Sequence, residues 1–256
     1  MKLPGLAVYL INLERSRDRR EKMQARLAAL GLDYTIFPAI DGRKEWERLA
    51  SQLDVDAFQR NVGRDVLPGE IGCYHSHLGV WKAFLETGDD VLLVLEDDVV
   101  FGEDFISALH EAMRVCAHWD FLKLNKIRAE QPISQGRVGP YRLNAYLGAA
   151  TGFGAYLIRR DLVERALPAM LPITRPIDHE FDRIHVHRFR HFGLEPFPSD
   201  VRDESQSTIT GTSFNSVRKY PWYRRLPLYA LRLRNRLGRL IYLATSGCLL
   251  PKTRRL

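Results

Sequence analysis

Three consecutive carboxylates, Glu96, Asp97 and Asp98, follow directly after an apolar run at residues 91–95. The run contains no polar residue, which is typical of a strand covered on both faces. Open α/β sheets bind their ligands at the carboxyl ends of such strands. Neighbouring carboxylates repel one another unless a cation compensates them, and Mg²⁺ or Mn²⁺ bound to substrate phosphates would do so. A solvated turn, or the N-cap of the following helix, is the alternative interpretation of this triplet.

A second polar segment follows the first apolar run of the chain. Residues 12–20 include Asn12, Arg15 and Arg19 and come directly after the apolar residues 6–11. Because these cations also lie at the carboxyl end of a predicted strand, they could reach a diphosphate or a nucleotide base. A solvated first helical turn with local ion pairs explains the same segment, and the spacing alone does not choose between the two.

Cys73 and His77 are one helical turn apart in a segment that begins at Pro68. A cysteine beside a histidine could be a nucleophile with its base, or two ligands of a metal ion. No third ligand lies within reach in the sequence, so we expect a histidine that is partly buried and satisfied by hydrogen bonds.

A further group of acidic residues, Asp178, Glu180 and Asp182, lies at a predicted helix N-terminus after Pro176. The helix macrodipole stabilises carboxylates at this position, which is a sufficient structural reason for them. A general base requires the same residue type, so the catalytic interpretation stays open beside the structural one.

Alternating strands and helices must position these groups. Apolar runs of strand length predict strands at 6–11, 34–37, 91–95, 119–124 and 153–158. Apolar residues at helical spacing predict helices in the segments between them. This alternation predicts an α/β fold with a mainly parallel sheet flanked by helices. Residues 128–144, with Pro, Gly, Ser and Gln, predict a loop or irregular strands.

The composition is that of an ordinary folded protein, with 256 residues, of which 45% are hydrophobic and 27% charged. It excludes a disordered chain and a disulfide scaffold. The three cysteines are scattered, so we expect free thiols in a reducing compartment. The longest mostly apolar stretch, 240–250, is shorter than the about 20 residues that span a membrane, and the N-terminal segment lacks a signal-peptide cleavage site. We therefore expect a cytoplasmic protein.

Positive charge is concentrated at the C-terminal end. The net charge is +7, whereas residues 218–256 contain eleven Lys and Arg residues and no acidic residue. Subtracting these eleven charges from +7 leaves −4 for residues 1–217. We interpret the chain as a folded domain, 1–217, and a basic amphipathic tail, 218–256. This division argues against nucleic-acid binding by the whole protein.

Within the tail, Tyr229, Leu233, Leu237 and Leu240 recur at helical spacing between arginines. Such a helix can lie in the headgroup layer of an anionic membrane with its apolar side chains buried. The alternative is that this stripe packs on the folded domain or forms a dimer contact.

Several motifs occur in the order seen in one enzyme family. They are Leu10 to Arg19, Ala39 to Gly42, Gly69 to Cys73 with Ser76 and His77, Leu95 to Asp98, Gly154 to Ile158, and Pro176 to Asp178. Together they resemble glycosyltransferase family 25, which includes bacterial lipooligosaccharide galactosyltransferases and the collagen hydroxylysine galactosyltransferases. The resemblance covers about residues 5–210 and leaves the tail outside it.

The resemblance implies a GT-A fold, in which a Rossmann-like, mainly parallel sheet binds a nucleotide sugar. Glu96, Asp97 and Asp98 would be the acidic motif that holds Mn²⁺ or Mg²⁺ on the diphosphate of a UDP-sugar. Asp98 would be the direct ligand of the ion.

The resemblance also assigns roles around the two substrates. Asn12, Arg15 and Arg19 would lie near the nucleotide. Because the family inverts the anomeric carbon, a base must take the proton of the acceptor hydroxyl. Asp178 is the candidate base on its motif position, with Glu180 and Asp182 as competitors.

These inferences predict an inverting transferase that moves a hexose, galactose from UDP-galactose, to lipopolysaccharide, lipooligosaccharide or a related surface glycan. A lipid-linked glycan acceptor and a basic tail together predict a peripheral protein on the inner face of the cytoplasmic membrane. The alternative is a non-catalytic protein that docks on an anionic membrane or on nucleic acid through its tail. Nucleic acid is the weaker candidate, since Leu and Tyr separate the basic residues.

Overall fold

Strands and helices alternate along most of the chain, as the apolar periodicity predicts. The structure, a computed structural model, describes residues 3–125, 127–201 and 218–256. The strands are β1 Leu6–Asn12, β2 Thr35–Pro38, β3 Val91–Glu96, β4 Val99–Phe101, β5 Phe121–Lys123, β6 Pro132–Val138, β7 Tyr141–Tyr146, β8 Ala155–Arg159, β9 His191–Glu195 and β10 Ser199–Val201. The α-helices are α1 Arg17–Ala29, α2 Trp46–Ala50, α3 Val55–Val62, α4 Pro68–Leu85, α5 Phe105–Arg114, α6 Arg160–Ala166, α7 Ile177–Phe181, α8 Ile184–His187 and α9 Leu226–Thr245.

Eight strands form one sheet in the order β2-β1-β3-β8-β5-β9-β7-β6. Six of them run in one direction, and only β8 and β7 run against it. The predicted α/β fold with a mainly parallel sheet is therefore confirmed. Of the two antiparallel strands, β8 coincides with the strand predicted at 153–158, although its direction was not predicted. β7 forms a hairpin with β6, largely within the segment 128–144 for which the composition predicts a loop or irregular strands.

β1 and β3 are adjacent and parallel, which brings their carboxyl ends together. Ile11 pairs with Glu96, so the polar residues Asn12 and Asp97 that follow are neighbours. All residues of β3 before Glu96 are buried, as the unbroken apolar run predicts. The sheet thus places two of the predicted polar segments at one edge.

Aromatic side chains pack beneath these strand ends. The rings of Phe121 and Tyr156 stack with centroids 4.9 Å apart, and Phe153 lies 4.7 Å from Tyr156. Trp81 of α4 contacts Phe181 of α7 at 5.1 Å. Rings packed at these distances add to the free energy gained by burying them, so the cluster links α4 and α7 firmly to the sheet.

The start of α4 touches the loop after β2 through glycines. A Cβ atom at Gly72 would lie 2.5 Å from the nitrogen of Gly42 and from the carbonyl oxygen of Ile40, which no real contact allows. At Gly42 a Cβ atom would overlap the carbonyl oxygen of Pro68. Both motif glycines are therefore needed for close approach of two backbones.

The C-terminal residues lie along β6, the last strand of the sheet. The nitrogen of Lys252 donates to the carbonyl of Ser134, and Leu256 donates to the carbonyl of Arg137. The nitrogen of Arg137 donates in return to the carbonyl of Arg254. These bonds continue the sheet by one further extended segment.

The tail folds against the rest of the chain. α9 contacts α3 and α8, and its side chains Leu228 and Leu243 are buried. Arg239 is also buried, where it donates to the carbonyls of Tyr146 and Gly148 and pairs with Asp182. The division at 217/218 stays a prediction, and residues 202–217 lie outside the described part.

None of the helices in the described residues is long and apolar enough to span a membrane. The three cysteines, Cys73, Cys116 and Cys248, are free, as predicted.

The glycine contact between α4 and the loop after β2 gives the first prediction. In Gly72→Ala the new methyl must push the two backbones apart, so we expect the free energy of unfolding to fall by about 1–3 kcal/mol. Gly88→Ala is the matched control, because a Cβ atom there meets nothing within 4 Å. Urea denaturation of both variants measures the difference. Equal stability of the two would contradict the close contact.

Candidate active site

An open cleft lies at the carboxyl ends of β1 and β3. It holds about 700 Å³ of empty space, including the part open to solvent. The loop after β2 and the start of α4 form its other walls. Its polar lining consists of Arg15, Arg19, Asp41, Arg43, Cys73, Ser76, Glu96, Asp97 and Asp98. The cleft therefore gathers the acidic triplet and both arginines predicted near the nucleotide, Arg15 and Arg19.

Asp97 is compensated by groups of the chain itself. Asn12 Nδ2 donates to Asp97 Oδ2 at 2.7 Å, and Arg19 Nη1 donates to Oδ1 at 3.2 Å. Burial raises the pKa of Asp97, while the bonds from Asn12 and Arg19 oppose the rise. Two of the residues predicted near the nucleotide thus bind a carboxylate of the triplet.

Glu96 ends a chain of hydrogen bonds that starts in the core. His77 Nε2 lies 3.1 Å from Glu96 Oε1, and His77 Nδ1 lies 2.9 Å from the Tyr156 hydroxyl. Trp81 Nε1 donates to the same hydroxyl at 3.0 Å. Every group is satisfied when the Tyr156 hydroxyl donates to Nδ1 and Nε2–H donates to Glu96. His77, which is fully buried, therefore orients Glu96.

The expectation that His77 is buried and satisfied is confirmed. A third possible ligand does join Cys73 and His77, however, because Glu96 reaches them from the end of β3. Within the described residues these three form a group whose ligand atoms lie within 4.8 Å of one another. Burial, and the carboxylates of Glu96 and Asp178, raise the pKa of Cys73 well above its ordinary value, which favours the thiol over the nucleophilic thiolate.

Asp98 is the carboxylate of the triplet that keeps an unpaired buried oxygen, although the charge of Arg19 and a backbone hydrogen bond partly compensate it. Its Oδ1 is buried and accepts no hydrogen bond from any described residue. Burial, followed by the charges of Glu96 and Asp97, raises its pKa to about 7. A hard divalent cation would relieve all of these effects, so the residues present fit the ion implied by the family resemblance. Asp98 would hold it, with Glu96 and Asp97 beside it.

Arg15 pairs with Asp41 across the cleft, from the loop after β1 to the loop after β2. The side chain of Arg15 is 44% exposed, so it is accessible to an anionic ligand. Asp41 belongs to the same motif as Gly42 and was not among the predicted site residues. In the sequence, only the motif Ala39 to Gly42 marked Asp41, because its spacing from other polar residues indicated no chemical role.

Asp178 lies at the start of α7 and accepts two backbone hydrogen bonds. Gly152 N–H donates to Oδ2 at 3.0 Å, and His179 N–H donates to Oδ1 at 2.9 Å. In the described part of the chain it forms no ion pair. Asp178 is not among the residues that line the cleft, but its negative charge contributes to the raised pKa of Cys73, which does line it.

The two competing carboxylates are committed to ion pairs. Glu180 is buried among Arg175, Arg183 and His187, at distances of 2.8 to 2.9 Å. Asp182 pairs with Arg239 of α9 and accepts the N–H of Ala150.

These partners leave little basicity for Glu180. The pKa of Glu180 is lowered despite its burial, because His187, Arg183 and Arg175 stabilise the charged form. Of the three carboxylates, Asp178 is therefore the one whose oxygens are best available to a substrate. Its role as base stays a prediction.

Lys123 is a buried cation that the sequence gave no reason to select. Its side chain is 0% exposed, and Nζ donates to the carbonyls of Thr151 and Gly152 at 2.6 and 2.7 Å. Gly152 in turn holds Asp178. Burial lowers the pKa of Lys123 to about 8, against the charge of Asp178. Lys123 thus fixes the backbone that positions the candidate base.

All residues that line this cleft lie in the part of the chain that matches a known protein family. Residues 6–179 match the family model described as "Glycosyltransferase family 25 (LPS biosynthesis protein)". The chain belongs to glycosyltransferase family 25. The matched range includes the acidic triplet, the residues after β1 and Asp178. The resemblance inferred from the ordered motifs is therefore confirmed.

Animal proteins are among the relatives of this chain. A "Glycosyltransferase 25 family member" of Aedes aegypti is 32% identical over 197 residues, 68% of this chain and 31% of that protein. A "Procollagen galactosyltransferase 1-A" of Xenopus laevis is 32% identical over 131 residues, 48% of this chain and 21% of that protein. A Homo sapiens relative is named an inactive member of the family. The chain spans about a third or less of the length of these curated relatives.

The architecture agrees with the GT-A type that the resemblance implied, an α/β sheet with helices on its faces and a cleft at the strand ends. A solved structure, the mannose-1-phosphate geranyltransferase of Thermus thermophilus, has a TM-score of 0.39 and 15% identity. The match covers 77% of this chain and 76% of that one.

The raised pKa of Asp98 gives a prediction about metal-free protein. Because the folded state keeps a proton that the unfolded chain releases between about pH 4 and 7, the free energy of unfolding falls as pH rises through this window. Asp98→Asn removes the titration. We expect its stability relative to wild type to be higher at pH 7.5 than at pH 5.

Urea denaturation in chelator at these two pH values measures the effect, since chelation keeps divalent ions from the carboxylates. Asp56→Asn on α3 makes the same exchange at an exposed carboxylate and serves as control. A pH-independent difference between Asp98→Asn and wild type would mean that Asp98 titrates normally.

Proposed function

We propose that the chain transfers a hexose with inversion, galactose from UDP-galactose, to lipopolysaccharide, lipooligosaccharide or a related surface glycan. The observation that carries the proposal is the buried oxygen of Asp98 that no described residue binds, in a cleft that Arg15, Arg19 and Arg43 also line. Such a cleft suits a cation together with a diphosphate. Membership of a family of glycosyltransferases supplies the reaction class.

The donor would lie along the loop after β1. Arg15 and Arg19 line the cleft and present guanidinium groups, which suit the oxygens of a diphosphate. Asn12 would act indirectly, because its side chain donates a hydrogen bond to Asp97 and so holds that carboxylate beside the site. Mn²⁺ or Mg²⁺, bound by Asp98 with Asp97 and Glu96 beside it, would supply positive charge to the leaving diphosphate.

The acceptor would be activated by Asp178. Inversion in a single displacement requires a base on the acceptor side, and a carboxylate fixed in orientation can take the hydroxyl proton. Gly152 and His179 fix Asp178 through backbone N–H groups, and Lys123 fixes Gly152. The commitment of Glu180 and Asp182 to ion pairs supports Asp178 over both.

The names of relatives support the finer parts of the proposal. The procollagen galactosyltransferase supports galactose as the sugar, and the description of the family supports a lipopolysaccharide acceptor. A lipid-linked acceptor of this kind is built on the inner face of the cytoplasmic membrane, where we propose that the protein is peripherally bound. Because one relative is named inactive, the alternative to a transferase is a non-catalytic binding protein.

Thermal melting tests the proposal first. We expect UDP-galactose with Mn²⁺ to raise the melting temperature of the wild type, because a ligand that binds only the folded state stabilises it, by about 2.7 kcal/mol at a hundred times its Kd. Other nucleotide sugars form the comparison panel. Asp98→Ala should lose the Mn²⁺-dependent part of the shift. Without any shift in wild type, the non-catalytic alternative would stand.

The candidate base gives a kinetic prediction. Asp178→Asn can keep an oxygen that accepts from Gly152, at the cost of the bond from His179, and removes the basic group, so we expect kcat to fall by roughly 100-fold or more. The donor-induced melting shift should remain. Transfer is followed as UDP release with and without acceptor, at equal donor saturation.

Variants of the competing carboxylates separate the roles. Asp182→Asn and Glu180→Gln should lower stability through their ion pairs, with Arg239 and with Arg175, rather than abolish turnover in the folded fraction. Wild-type turnover in Asp178→Asn together with an inactive, stably folded Asp182→Asn would transfer the role of base to Asp182.

A further inference from the structure

α9 has two opposite faces. Its inner face, with Leu228, Arg239 and Leu243, is buried on the body of the protein. Leu233 and Leu237 lie on the other side of the helix, at about 100° per residue, and are 60% and 52% exposed. The helix is therefore held by one face while a second apolar face points outward.

The outward face continues before and after these two leucines. Among the described residues, nine of the thirteen exposed large hydrophobic side chains lie between 222 and 250. Those in the helix and directly before it are Trp222, Tyr223, Leu226, Tyr229, Leu233, Leu237, Leu240 and Ile241. Scattered exposed hydrophobic residues need no explanation, but a contiguous row along one helix marks an interaction surface.

Arginines flank the apolar row on both sides. Arg236 lies along one border of it and Arg234 along the other, at about 100° per residue, while Arg232 lies beyond Arg236 towards the inner face; all three are exposed. Residues 218–256 contain no acidic side chain that could neutralise them. The partner of this face must therefore accept apolar side chains at its centre and offer negative charge at its borders.

We propose that the outward face of α9 binds an anionic lipid surface, with the row of apolar side chains below the headgroups and the flanking arginines among them. Trp222 and Tyr223 at the start of the helix suit the interfacial layer, where aromatic rings are enriched. This inference rests on the proposed function, because the contact would keep the protein on the surface that carries a lipid-linked acceptor.

A second copy of the chain is a poorer occupant. In a symmetric dimer the same face meets itself, so the arginines along α9 would approach their own copies. With no acid between 218 and 256, this like charge would stay uncompensated. An anionic lipid surface supplies the missing negative charge.

The lipid-binding face is joined to the candidate active site. Arg239, on the inner face of α9, pairs with Asp182 and donates to the carbonyl of Gly148. Asp182 receives the N–H of Ala150, two residues before the glycine that holds Asp178. The helix therefore lies directly behind the segments that position the candidate base.

Flotation of the full chain with vesicles tests the proposal. Vesicles of phosphatidylcholine with phosphatidylglycerol should carry the wild type upward, less so as NaCl rises, and pure phosphatidylcholine vesicles should carry far less. The double variant Leu233→Gln/Leu237→Gln should lose at least about tenfold in partitioning. Neutralising Arg232, Arg234 and Arg236 to Gln should cost roughly 100-fold, at about fivefold for each arginine.

Leu171→Gln, at an exposed apolar residue outside α9, is the matched control and should float like wild type. Unchanged melting temperatures show that the variants fold. Wild type that stays unbound, binds neutral vesicles equally, or keeps its binding in the double leucine variant overturns the proposal. So does a wild-type dimer in sedimentation that this variant dissociates. The assay contains no nucleotide or acceptor, so its outcome is separate from that of glycosyl transfer.

Discussion

Negative charge at the end of β3 is the constraint on which the arrangement of the cleft depends. Partly buried carboxylates in sequence cost free energy unless each finds a compensating group. Asp97 finds Asn12 and Arg19 only because β1 runs parallel beside β3, and Glu96 finds His77 only because α4 passes behind the strand end. One oxygen of Asp98, Oδ1, accepts no hydrogen bond from any described residue. The folded chain thus provides side-chain partners for two of the three carboxylates and leaves an oxygen of the third without one among the described residues.

The parts of this arrangement that the sequence predicts are those with local causes. An apolar run without alternation encodes a strand covered on both faces, so β1 and β3 were predictable, and parallel strands necessarily present their carboxyl ends together. The helix beginning at Pro68 follows from the fixed φ of proline and a regular apolar spacing. The order of the motifs then supplied the family resemblance, and the family match over residues 6–179 agrees with that resemblance.

The parts that could not be predicted depend on contacts between distant segments. Lys123 is an ordinary lysine in the sequence, and only the approach of the 151–152 backbone makes it a buried cation with two carbonyl partners. Arg239 was counted among the charges of the basic tail, and nothing in its spacing indicated that it is buried against Asp182. The amphipathic stripe of the tail had three candidate partners, an anionic membrane, the folded domain and a second copy of the chain. Its register on the body, set by Leu228 and Leu243, turns that stripe outward.

The pairing of the C-terminal segment with β6 has a consequence for how the protein behaves in concentrated solution. An uncovered edge strand offers unpaired N–H and carbonyl groups on which a neighbouring molecule can add a strand, and this is a common start of aggregation. Here Lys252 and Leu256 already occupy the groups of Ser134 and Arg137. Gly136 leaves room for the Leu256 side chain, since a Cβ atom there would come within 2.9 Å of it. The segment therefore closes these groups of β6 to a neighbouring molecule, whatever the outward face of the preceding helix binds.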